Sequence, residues 1–144
     1  METRRANVIE TAKAAAIAYN DKDWDKVKAL FVENGVYDEK GTGRRIQGIG
    51  QVLEAWQSWA KAIPDSKATF LAEHASGDTA ILEVVWKGTH TGPLQTTSDT
   101  IPPSNKRIEV PACQVMKVEG GRVTTYTHYF DMLTLLRQIG AAKG

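Results

Sequence analysis

Val123-Thr124-Thr125-Tyr126-Thr127-His128-Tyr129-Phe130-Asp131-Met132, continuing into Leu133-Thr134-Leu135-Leu136-Arg137-Gln138-Ile139-Gly140, changes its period midway. It opens as a run of β-branched and aromatic residues, which favours a strand, and closes with apolar residues at helical spacing. His128 and Asp131 stand at the changeover among bulky apolar neighbours. Removing ionisable groups from water is costly, so a histidine and a carboxylate at such a seam are candidates for chemistry. In an ideal strand His128 shares a face with Tyr126 and Phe130, whereas Asp131 falls out of that alternation. The two meet in one pocket only if the backbone bends or bulges between them.

Working outward, Glu119-Gly120-Gly121-Arg122 reads as a hairpin turn, because paired glycines accept the positive φ of a primed turn. Before it, Ile108, Val110, Ala112, Gln114, Met116 and Val118 alternate with Arg107, Glu109, Cys113 and Lys117, a strand with one polar residue, Gln114, on its apolar face. A second long strand is predicted over 80–90, with Ala80, Leu82, Val84, Trp86, Gly88 and His90 on one face and Glu83 and Lys87 on the other. Between these strands, Thr91 to about Lys106 is proline-rich and long enough to form a flap or rim. Ala68, Phe70, Ala72 and His74 alternate up to the turn Ser76-Gly77-Asp78 and predict a further strand. Helical spacing governs the first half. Val8, Ile9, Ala12, Ala15, Ala16 and Tyr19 mark a helix over roughly 4–19, and Trp24, Val27, Leu30 and Phe31 a second one ended by Glu33-Asn34-Gly35. A short strand, Val36–Glu39, and a turn, Lys40–Gly43, lead to a third helix from about Ile49, stopped at Pro64. The expected class is α+β: a cone-shaped, strongly curved, mainly antiparallel sheet covered by N-terminal helices, with a short C-terminal helix. Such a cone encloses an apolar pocket fit for a small organic molecule.

Composition narrows the function. A chain of 144 residues that is 42% hydrophobic predicts one domain over 1–144. Eighteen basic and seventeen acidic residues leave a net charge of +1 without long like-charge runs, which argues against nucleic acid or an anionic membrane as partner. The single Cys113 excludes an internal disulfide. No segment reads as a signal peptide or a membrane span, so a cytoplasmic location is expected. His74, His90 and His128 lack any paired ligand spacing, and no nucleotide or nucleophile-elbow motif occurs; neither metal nor cofactor is expected.

Trp86-Lys87-Gly88-Thr89-His90-Thr91-Gly92, the turn Pro102-Pro103-Ser104-Asn105-Lys106-Arg107-Ile108, Val118-Glu119-Gly120-Gly121-Arg122-Val123 and His128-Tyr129-Phe130-Asp131 with Leu135–Gly140 carry a resemblance. Together with the element order, over about residues 8–140, the chain resembles the SnoaL-like polyketide cyclases and their ester-cyclase-like relatives in the nuclear-transport-factor-2-like superfamily. The resemblance implies that an aspartate at Asp131 is general acid/base in an intramolecular aldol ring closure without metal or cofactor. A carboxyl group screened from water has a raised pKa and can exchange protons with a carbonyl and with the acidic carbon between two carbonyls. Asp131 would equally serve as the cap of the last helix. His128 and His90 are candidate polar partners, and His74 is expected at the surface. Gln114 would either hydrogen-bond a substrate carbonyl or satisfy a buried backbone group. Trp86, Tyr126, Phe130 and Trp56 are candidate pocket walls for an aromatic or apolar carbonyl compound, and the resemblance implies a pocket role for Tyr37 and Glu39, which occupy the short first strand where related enzymes often place a polar pocket residue. Two other readings stand beside cyclase or isomerase chemistry. One is a non-catalytic ligand-binding module. The other is an epoxide hydrolase of the limonene-epoxide-hydrolase-like type with a rebuilt site, since His128 matches the second aspartate of those enzymes. Ketosteroid isomerase chemistry lacks its helix-1 tyrosine, whose place is taken by Ala15. The face carrying Glu83, Lys87, Glu109 and Lys117 is a candidate homodimer contact.

Overall fold

The computed structural model describes residues 2–142, which run in the order α1 (Glu2–Asn20), α2 (Trp24–Leu30), β1 (Phe31–Glu39), β2 (Arg44–Gln47), α3 (Ile49–Ala62), β3 (Lys67–Ser76), β4 (Thr79–Thr89), β5 (Leu94–Gln95), β6 (Thr100–Ile101), β7 (Arg107–Glu119), β8 (Arg122–Phe130) and α4 (Met132–Gln138). Six strands form one sheet in the order β2-β1-β8-β7-β4-β3, and β5 pairs with β6 in a separate two-residue ladder. Every pairing in the large sheet is antiparallel except β1 with β8. The β7–β8 hairpin turns on Gly120 (φ 59°) and Gly121 (φ 77°), in the left-handed region that the turn requires. Register shifts at Phe31/Val36, Phe70/Ala72 and Lys117/Val118 mark the irregularities at which the strands bend. The fold class is the α+β curved sheet expected.

Alternation decides which side chains turn inward. On β4, Ala80, Leu82, Val84 and Gly88 are buried while Glu83 and Lys87 face out; on β7, Ile108, Val110, Gln114, Met116 and Val118 are buried while Glu109 and Lys117 are exposed. The alanine face of α1 lies on this concave surface, with Ala12, Ala15, Ala16 and Ala18 buried, and α3 adds Val52, Ala55 and Trp56. Small side chains let the helix approach the sheet closely, and each large apolar side chain withdrawn from water contributes about 1.5–3 kcal/mol. A second apolar cluster joins Ile63, Leu94, Ile108, Val110, Leu135 and Ile139, so α4 and the start of the long loop are packed to the barrel of the cone by Leu135, Ile139 and Leu94.

Three local expectations need correction. The second helix ends at Leu30, because Phe31 is already extended (φ −114°, ψ 150°), and Glu33-Asn34-Gly35 belong to β1, where the register shift absorbs them. Strand β2 was not foreseen from Arg44-Arg45-Ile46-Gln47, in which only Ile46 is apolar; its pairing with β1, Glu39 opposite Arg44, is imposed by the preceding turn. On β3, the shift between Phe70 and Ala72 breaks the simple alternation and leaves His74 exposed, as expected, 2.6 Å from Glu83.

Candidate active site

A cavity of about 70 Å³ lies between α1, α3, α4 and the inner faces of β1, β4, β7 and β8. Its wall is mostly apolar and aromatic, with Tyr37, Trp56, Trp86, Tyr126 and Phe130 around it and the polar side chains of Gln114, His128, Tyr19 and Ser66 among them. Ligand pockets commonly occupy roughly 300–1,000 Å³, so a multi-ring molecule enters only with movement of wall side chains.

His128 stands at the centre. Strand register sets Glu39 of β1 on one side of it and Gln114 of β7 on the other. Trp86 Nε1 lies 3.0 Å from His128 Nε2, and the Tyr37 hydroxyl lies 2.7 Å from His128 Nδ1. An indole N–H can only donate, so Nε2 accepts and the imidazole hydrogen resides on Nδ1, directed at the Tyr37 oxygen. Tyr37 in turn donates to Glu39 Oε2 at 2.9 Å. Every hydrogen in the chain Trp86, His128, Tyr37, Glu39 therefore points towards the carboxylate.

Glu39 collects further donors: Trp59 Nε1 at 2.9 Å on Oε2, Arg44 Nε at 2.6 Å on Oε1, and the Thr42 hydroxyl on Oε1. Its side chain has no exposed surface, whereas that of Arg44 is 37% exposed, so the ion pair reaches from the interior to solvent. Burial disfavours the Glu39 carboxylate, but the hydrogen bonds from Arg44, Thr42 and Trp59 and the Arg44 charge outweigh it and hold the pKa below the usual range. Burial lowers the His128 pKa from 6.5 to about 4 against the opposing pull of Glu39, and the imidazole is neutral at pH 7. Burial, then the Glu39 charge, pushes the Tyr37 hydroxyl well above 10; burial does the same to Tyr126, against a hydrogen bond from Gln114. The site thus holds a fixed anion, three protonated phenols with Tyr19 included, and a neutral imidazole.

The structure brings His128, Tyr37, Gln114, Trp86, Tyr126, Phe130 and Trp56 to one cavity, with Glu39 directly behind Tyr37. It does not bring Asp131 there. Asp131 is exposed and caps α4, accepting from Thr134 N at 3.1 Å and Thr134 Oγ1 at 2.7 Å. Those two hydrogen bonds lower its pKa, the reverse of the shift that screening from water would produce. The bend between His128 and Asp131 turns the carboxylate away from the pocket. His90 also lies outside the cavity wall: wholly buried at the end of β4, its Nδ1 meets Ser104 Oγ at 2.8 Å and the Ser104 N–H at 3.1 Å, pinning the Pro102–Asn105 turn. Burial lowers its pKa.

Arg44, Thr42 and Tyr19 were not singled out for the site from sequence. A signal for the first existed, since the alternation Tyr37-x-Glu39 puts both side chains on one strand face and a turn of four residues places Arg44 opposite Glu39. Tyr19, one turn after Ala15 on α1, meets Ser66 Oγ at 2.8 Å, and burial raises its pKa to about 12. Among the described residues no three His, Cys, Asp or Glu side chains group as metal ligands, and no helix is long and apolar enough to cross a membrane.

The backbone resembles several solved structures. A SnoaL-like protein from Jannaschia sp. CCS1 superposes with a TM-score of 0.85 at 17% identity, covering 96% of this chain and 95% of that one. IdmH from Streptomyces antibioticus, for which polyketide cyclisation is the suggested activity, gives 0.77 at 24% identity over 91% and 96% of the two chains. An LEH-like epoxide hydrolase of M. tuberculosis gives 0.72 at 22% identity over 95% of each. These likenesses establish a common fold, shared also with a hypothetical protein of Catenulispora acidiphila that has a ketosteroid isomerase-like fold. No curated protein matches the sequence significantly. The sequence itself matches the SnoaL-like polyketide cyclase family over residues 9–139, nearly its whole length, and the chain belongs to that family.

Proposed function

We propose that the cavity carries out cofactor-free acid–base chemistry on a small apolar carbonyl compound, an aldol-type ring closure or an isomerisation, with His128 rather than Asp131 as proton carrier. The observation that carries this reading is the one-way hydrogen-bond chain from Trp86 through His128 and Tyr37 to Glu39, one end of which lies in the apolar cavity. A substrate that displaces the Trp86 N–H exposes the Nε2 lone pair, which takes a proton from the carbon between two carbonyls. The imidazolium so formed keeps its Nδ1 hydrogen on Tyr37 and is stabilised by the Glu39 charge behind it. Electrons move into the enolate, whose oxygen can accept from Tyr126. Carbon–carbon bond formation at a second carbonyl leaves an alkoxide, and His128 returns the proton to it. An imidazole with a pKa of about 4 is a weak base and a strong conjugate acid, which restricts turnover to acidic carbon centres and favours the return step. Deuterium uptake at C2 of 1,3-diketones in D2O tests the reading: the wild type accelerates exchange, and His128→Gln abolishes the acceleration. Exchange no faster with protein than without it overturns catalysis.

Non-catalytic ligand binding is the second reading, supported by the full set of partners that His128 has without any ligand. In that case the same diketones shift protein resonances without any gain in exchange rate.

A further inference from the structure

Gln114 is 1% exposed and lines the cavity, and its Oε1 has no hydrogen-bond partner among the described residues. It stands opposite His128 in the β7–β8 register and opposite Leu82 in the β4–β7 register, so its neighbours across the strands are the site imidazole and an aliphatic side chain. The amide oxygen is thus a buried acceptor in want of a partner. A buried acceptor without a donor costs about 1–3 kcal/mol, and an apolar side chain of the same length would remove that cost. On an otherwise apolar strand face, the retention of an amide here calls for a donor that the protein does not supply.

We propose that Gln114 Oε1 accepts a hydrogen bond from the ligand, and that the ligand class is therefore one bearing a hydroxyl donor, an enol or a phenol, rather than a ketone recognised through its carbonyl alone. This reverses the polarity of one of the two roles the sequence offers for Gln114, a hydrogen bond to a substrate carbonyl; the other is to satisfy a buried backbone group. The inference rests on the cavity being the ligand site but not on turnover. A hydroxyl held at Gln114 lies beside His128, one strand away, with the Tyr126 hydroxyl adjacent. The site would thus hold an enolised dicarbonyl by its O–H and an aromatic product by its phenol.

The test is binding of phenol, anisole and toluene, measured by titration calorimetry with two-dimensional NMR to locate the contact. Phenol is expected to bind the wild type about tenfold more tightly than anisole, the increment of one hydrogen bond, and to perturb the Gln114 side-chain amide. Gln114→Met should abolish the preference, bringing the phenol-to-anisole affinity ratio to about one, with toluene binding as the check that the cavity persists. Equal affinities for phenol and anisole in the wild type overturn the proposal without recourse to any variant, as does a phenol preference that survives in Gln114→Met. Loss of catalysed deuterium exchange with the phenol preference intact would instead remove the catalytic reading and leave this one standing.

Discussion

The Tyr37 hydroxyl lies 2.7 Å from His128 Nδ1 although the two residues are 91 positions apart, because the parallel pairing of β1 with β8 sets Tyr37 beside Tyr126 and Glu39 beside His128. The parallel junction of the large sheet is what joins the carboxylate to the imidazole. With Trp86 donating to Nε2, the hydrogen of His128 is fixed on Nδ1. Long-range ¹H–¹⁵N spectra at pH 7 should show a neutral imidazole in this single tautomer, and Trp86→Phe should raise its titration midpoint above about 4 by removing a hydrogen bond to the neutral form. A charged imidazole at pH 7 in the wild type would refute the assignment.

Stability should fall in acid in a defined window. The pKa of His128 is depressed from 6.5 to about 4, so the unfolded chain takes up its proton first and stability drains as pH falls from about 6.5 to about 4. This one group accounts for about 3 kcal/mol of the loss. His90, also lowered by burial, contributes in the same direction, while Glu39, lowered from 4.5, adds its loss at still lower pH. Urea denaturation from pH 7 to 4 should show a much shallower fall in His128→Gln than in the wild type.

Glu39→Gln tests the collecting point. It keeps the shape but removes the charge that Arg44 and Thr42 address and that stabilises a protonated His128. Loss of charge-assisted hydrogen bonds predicts a destabilisation of about 1.5–3 kcal/mol by equilibrium unfolding, together with a further lowering of the His128 midpoint.

Gly41 passes under the Phe130 ring, and a Cβ there would stand 2.5 Å from its carbons. Gly41→Ala should therefore push Phe130 from the cavity wall, costing about 1–3 kcal/mol and altering ligand affinity while His128 keeps its tautomer. Unchanged stability and unchanged affinity would show that the ring has room to yield.

Much of this was legible in the sequence where one period dominates. The alternations on β4 and β7 identified the inward faces, including the isolated Gln114, and the Gly120-Gly121 turn fixed the last hairpin. Asp131 was misplaced because the strand-to-helix seam leaves the direction of a side chain open: the capping geometry that a sequence can suggest also carries the carboxylate out of the pocket. The partnership of His128 with Tyr37 and Glu39 was beyond reach for a different reason. Tyr37 and Glu39 share β1 while His128 sits on β8, and only the register of a parallel pair between distant segments, which no local spacing encodes, brings them together.

The central claim is that the proton carrier is the His128–Tyr37–Glu39 chain and not Asp131, and the direct measurement is the rate of catalysed C2 deuterium exchange in a 1,3-diketone for Tyr37→Phe against Asp131→Asn. Removing the hydroxyl that links imidazole to carboxylate should slow exchange by about 100-fold or more, the scale of a lost acid–base contribution. Asp131→Asn should stay within about twofold of the wild type and cost at most about 1 kcal/mol through its weakened cap. Rapid exchange in Tyr37→Phe with exchange abolished in Asp131→Asn would contradict the account.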